Sequence, residues 1–67
     1  MRKWIVADSE HLAGRPRVRD TRISVAHVLE CLAAGLTIPD IVDAYPSLTV
    51  EAVRGVLAEL AEAQAAA

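Results

Sequence analysis

Sixty-seven residues make one small domain, and chains of this size bury only about 60% of the surface they expose when unfolded. A single cysteine, Cys31, excludes an internal disulfide, so association is the expected source of added stability. The composition is 54% hydrophobic with a net charge of −2, and no apolar run nears the 18 or so residues of a membrane span.

Trp4-Ile5-Val6 reads as a short strand, too brief for the apolar core of a signal peptide. A cytoplasmic protein with a reduced thiol is therefore expected. Gly14 and Pro16 punctuate the chain before Arg15 to Asp20, where side chains alternate with period two. That alternation predicts an extended segment with Arg15, Arg17 and Arg19 along one edge. Asp20-Thr21 reads as a tight turn, because Asp tolerates left-handed backbone.

Ser24 is a good N-cap for a first helix over 24–34, with Val25, Val28, Leu29 and Leu32 on its apolar face and Gly35 as its stop. Thr37, Pro39 and Asp40 open a second helix over 38–45, whose inner face is Ile38, Ile41, Val42 and Tyr45. Pro46 ends it. Thr49 caps a third helix over 50–64, with Val50, Val53, Leu57 and Leu60 as the predicted core stripe. The last residues, from Gln64 to Ala67, are expected to fray. The expected fold is mainly α: residues 1–67 as a single three-helix, helix-turn-helix (homeodomain-like) domain, with residues 1–22 as a short basic β arm.

Charge divides along the same line. Residues 1–22 carry Arg2, Lys3, Arg15, Arg17, Arg19 and Arg22 against Asp8, Glu10 and Asp20, a net +3; residues 23–67 carry Arg54 against six acids, a net −5. A basic arm on an acidic body suggests nucleic acid or an acidic partner. Arg15, Arg17, Arg19 and Arg22 are the candidate contacts, since guanidinium groups bind phosphate and carboxylate bidentately. The competing reading is a solvated edge that discourages aggregation. Arg22 has a second competing role, a bridge to Asp40, Asp43 or Glu51.

As a recognition helix the third helix offers Arg54 alone among Glu51, Glu59 and Glu62, so core and dimer packing is the preferred role for it. Its small flank, Ala52, Gly55 and Ala58, is the candidate dimer interface, because a glycine inside a helix costs about 1 kcal/mol and calls for a packing reason. With only Trp4 and Tyr45 as aromatics, a surface that stacks bases is not expected. His27 and Cys31 have half the spacing of a zinc site but no further ligands nearby, so no metal or cofactor is expected. Asp8, Ser9, Glu10 and His11 lie on one loop and cannot by themselves assemble a base, a nucleophile and an orienting group, so no enzyme is expected.

Gly14-x-Pro16-x-Val18-x-x-Thr21-Arg22-Ile23-Ser24-Val25, then Leu32-Ala33-Ala34-Gly35-Leu36-Thr37, then Tyr45-Pro46-x-Leu48-Thr49 and Val53-Arg54 together resemble the bacterial "domain of unknown function 433" family. The resemblance spans about Ile5 to Ala61, and it departs at Asp20, where the family usually has glycine. It implies a compact helix-turn-helix protein of the VapB-type antitoxin kind, encoded beside a PIN-like nuclease toxin. By that resemblance the protein is expected to neutralise the toxin and, as a homodimer, to bind operator DNA as a transcriptional repressor. The alternative is a protein–protein interaction module without DNA binding.

Overall fold

A computed structural model describes residues 3–10 and 12–65, so Arg2, His11 and the last two alanines lie outside the described residues. The chain is mainly helical, with three helices and a two-stranded antiparallel sheet at the N-terminus. Strand β1 (Ile5–Val6) pairs with β2 (Arg17–Val18), with Ile5 opposite Val18 and Val6 opposite Arg17. Helices α1 (Val25–Ala33), α2 (Ile38–Ala44) and α3 (Val50–Ala65) follow.

Each helix begins where a side-chain oxygen can satisfy a free N–H. Ser24 accepts from the His27 N–H at 3.0 Å, and Thr49 accepts from the Ala52 N–H at 3.0 Å. Thr37 and Asp40 form a reciprocal capping box: Asp40 N–H donates to Thr37 Oγ1 at 3.2 Å, and Thr37 N–H donates to Asp40 Oδ2 at 3.0 Å. Helix α1 ends in a Schellman motif. Gly35, at φ 97°, donates to the Leu32 carbonyl, and Leu36 donates to that of Cys31.

The arm holds two left-handed turns. Leu12, Ala13 and Gly14 have φ of 52°, 54° and 81°, and Arg15 N–H closes the turn on the Leu12 carbonyl at 3.0 Å. Asp20 has φ 65°, in the region where a non-glycine residue costs about 1–2 kcal/mol. Thr21 holds that second turn. Its buried hydroxyl donates to the Val18 carbonyl at 2.8 Å and accepts from the Ile23 N–H at 3.1 Å.

The arm is latched to α3. Glu59 accepts from the backbone N–H of Trp4 and, at 3.1 Å, from that of Ile5. The Trp4 indole lies against Gly55, where any Cβ would fall well inside contact distance of the ring. This contact corrects the dimer-interface reading of Ala52, Gly55 and Ala58. Ala52 is buried in the core and Gly55 is covered by Trp4 of the same chain, so only Ala58 remains exposed.

The latch also rotates the core. Its buried members are Val18, Val25, Val28, Ile41, Leu48, Ala52, Val53 and Val56. On α3 the buried stripe is therefore Ala52, Val53 and Val56, while Val50 is 40% exposed and Leu57 and Leu60 are half-buried. The arm covers the flank that a three-helix packing would leave open, and this turns the buried face toward Ala52. Leu29 of α1, predicted to face inward, is 40% exposed.

Two stability predictions follow from these contacts. Gly55→Ala destabilises the protein by about 1–3 kcal/mol through overpacking against Trp4. In a Trp4→Ala background the same substitution stabilises by up to about 1 kcal/mol, because helix propensity then acts alone. Urea unfolding of the four proteins checks this reversal of sign. Capping of α2 makes stability depend on pH. The Thr37 backbone N–H, and then the Thr37 side chain, hold the Asp40 carboxyl below its ordinary value of 3.8. A depressed folded-state value means that the capping contribution is complete above the unfolded value and is lost as pH falls through the folded one. The difference in thermal midpoint between the parent and Asp40→Asn should hold from neutral pH to mildly acidic pH and then shrink in acid.

Candidate functional site

The arginines of the arm do not form one edge. Strand β2 has only two residues, and the turns on either side break the alternation expected from Arg15 to Arg19. Arg17 turns inward, with its side chain 13% exposed. Its Nη1 donates to the Thr21 carbonyl and its Nη2 to Asp8 Oδ2, each at 3.0 Å, while its buried Nε has no hydrogen-bond partner. Arg19 folds over the Trp4 ring, 4.4 Å from the centroid, and donates to the Lys3 carbonyl at 2.9 Å. Its Nε lies 3.8 Å from the exposed Asp20 carboxylate. Both cations serve the arm itself.

Arg15, Arg22 and Arg54 are exposed and form no ion pair with a described residue. The bridge from Arg22 to Asp40, Asp43 or Glu51 is therefore not formed. Arg22 instead lines an open cleft of about 570 Å³ with Arg17, Asp20, Thr21 and Ser47. Thr21 and Arg22 come from the turn of the arm, and Ser47 comes from the segment between α2 and α3. The Thr-Arg and Tyr-Pro-x-Leu-Thr motifs, well separated in sequence, thus meet at one place. Leu48, next to Ser47 in the chain, is buried in the core, and Thr49 caps the following helix.

Chemically, the cleft can hold an anionic group. Arg17 is already neutralised by Asp8, and Asp20 is exposed at the margin. Arg22 is the guanidinium free to make a bidentate, charge-assisted contact. The Thr21 hydroxyl is committed to the backbone.

The His27 and Cys31 pair has another use. His27 Nε2 lies 2.6 Å from the Tyr45 hydroxyl, with the two rings edge to face, and Cys31 Sγ lies 3.7 Å from the same nitrogen. Among the described residues no three His, Cys, Asp or Glu side chains gather as metal ligands. Asp8 accepts from the Glu10 N–H at 3.1 Å as well as from Arg17, and His11 lies outside the described residues. Sequence periodicity did not single out Glu59, Trp4 or Tyr45 for these roles, because each has its partner far along the chain.

These features define a small, mainly helical domain whose N-terminal arm carries an arginine-lined cleft. Residues 5–59 match the model of the family described as "Protein of unknown function (DUF433)", and the chain belongs to that family. No curated protein and no solved structure matches it.

The two classes of arginine should separate by mutation. Arg17→Ala leaves the Asp8 carboxylate and the Thr21 carbonyl without its guanidinium, and should lower stability by about 1–3 kcal/mol. Arg22→Ala should stay within about 0.5 kcal/mol of the parent. Chemical denaturation of both variants measures the difference.

Proposed function

We propose that this protein is an antitoxin-like, non-catalytic component of a bacterial toxin–antitoxin module, which neutralises a PIN-like nuclease and binds operator DNA as a homodimer. The observation that carries the reading is the cleft where the Thr21-Arg22 and Ser47 segments meet, with Arg22 exposed and unpaired among the described residues. Nucleases of the PIN type hold divalent metal with clustered carboxylates. A guanidinium presented to such a cluster competes with the metal through bidentate pairing.

The order α2, a short turn, then a longer α3 supports a helix-turn-helix reading. Within that reading α3 contributes little to base recognition, since its exposed face has Arg54 beside Glu51 and Glu62. The arm supplies the phosphate contacts instead, through Arg15 and Arg22, so binding should depend steeply on salt. Arg17 and Arg19 position the arm. Repression would follow from operator occupancy in the cytoplasm. The acidic face of α3 favours a second reading, a protein-binding module with no DNA role.

Calorimetry with a PIN-like nuclease, taken from the gene next to this one where such a gene is found, tests the proposal. Arg22→Ala should weaken that complex by about 2 kcal/mol or more, and unchanged affinity would refute the role of the cleft. A gel shift with upstream DNA, repeated at rising salt, separates the two readings. Sequence-preferring, salt-sensitive binding that weakens in Arg15→Ala/Arg22→Ala supports the repressor, whereas no shift at low salt leaves the protein-binding module.

A further inference from the structure

Helix α1 is apolar on both sides. Val25 and Val28 are buried in the core, while Ala26, Leu29, Glu30 and Ala33 are exposed at i, i+3, i+4 and i+7 spacing on the other face. A helix with apolar residues on both sides is suited to lie between two layers, and the outer side of α1 shows Ala26, Leu29 and Ala33 together with the charged Glu30. Beside this stripe runs a groove of about 310 Å³ whose lining includes Ile5, Arg15, Pro16, Val25, Leu29 and Leu60. Leu29 is therefore both a wall of the groove and one of the most exposed large apolar side chains among the described residues.

We infer that this groove and the outer face of α1 are the homodimer interface, and that the occupant is α1 of a second copy. Two observations favour a copy of the same chain. First, a two-fold interface must be self-complementary, and this surface carries both halves of each contact. Leu29 is the apolar knob and the groove is its socket; Glu30 is an exposed acid and Arg15 an exposed cation. Neither charge is paired with a described residue. A two-fold axis beside α1 sets Leu29 of each protomer toward the other's groove and Glu30 toward the other's Arg15. Second, the core is modest. Its largest fully buried side chains are Ile41 and Leu48, so covering an apolar helix face adds burial that so small a chain lacks.

The inference deepens the proposed homodimer by naming its face, and it places that face away from the cleft at Arg22. It also replaces the small flank of α3, where Gly55 is already filled by Trp4.

Light scattering and sedimentation on the purified full chain, without toxin or DNA, test it. The parent should have twice the 7.2 kDa chain mass at about 100 µM. Leu29→Lys should shift it to monomer with an unchanged far-ultraviolet circular dichroism spectrum, since Leu29 is outside the core. Arg15→Glu and Glu30→Arg should each raise the dissociation constant about tenfold or more, and the double reversal should restore association. If Leu29→Lys loses helix, the charge-reversal set decides on its own. A monomeric parent, or a dimer indifferent to both Leu29→Lys and the charge reversals, overturns the inference. So does an apolar groove that is filled only when the toxin is added. Arg22→Ala should remain dimeric, so loss of toxin binding in that variant bears on the proposed function alone.

Discussion

The architecture depends on the latch between the N-terminal arm and α3. Trp4 is the single tryptophan in a chain without phenylalanine, and it needs a surface flat enough to receive a ring. Gly55 provides it by having no side chain at all. Glu59, one turn further along α3, accepts the two N–H groups at the start of the arm, and Arg19 covers the outer face of the indole. A cation over an aromatic ring adds about 0.5–2 kcal/mol, depending on how far it is desolvated. These contacts convert an extended segment of marginal intrinsic stability, a two-stranded ribbon, into a fixed wall of the core.

The latch divides the arginines by task. Once the arm lies on α3, Arg17 is drawn toward Asp8 and the Thr21 carbonyl, and Arg19 toward Trp4 and the Lys3 carbonyl. Their charges are spent inside the fold. Arg15 and Arg22 stay in solvent at separate places, one beside an apolar groove and the other beside a polar cleft. The basic arm is therefore not one continuous phosphate-binding ribbon. It presents two discrete cations in different surroundings, an arrangement suited to pairing with particular acids on a partner as well as to phosphate contact.

Asp20 shows how local chemistry and fold interact. Its left-handed backbone costs free energy, and the neighbouring Thr21 offsets that cost by tying the turn at both ends. The turn then carries Arg22 to the rim of the cleft, opposite the Ser47 segment. The motif residues there act through backbone geometry: Thr21 closes the turn, Leu48 anchors the facing loop and Thr49 starts α3.

The sequence by itself determined the three helices, the caps that start them, the glycine stop of α1 and the turn at Asp20, but not the end of α3, which runs through Ala65 where fraying was expected from Gln64. Those features depend on residues within four positions of one another: Ser24, Thr37 and Thr49 reach N–H groups one turn ahead, and Gly35 relaxes its own backbone. It also determined the family, whose motifs are local strings. What periodicity alone misplaced were the α3 stripe, read through Val50 and Leu57, and the roles of Gly55, Arg17 and Arg19. Only the tertiary structure decided these, because Trp4 lies some fifty residues from Gly55 and Glu59 along the chain. A helix pattern records which residues are apolar, but not which neighbour arrives to cover them. That neighbour sets the face that is buried and the charges that remain free.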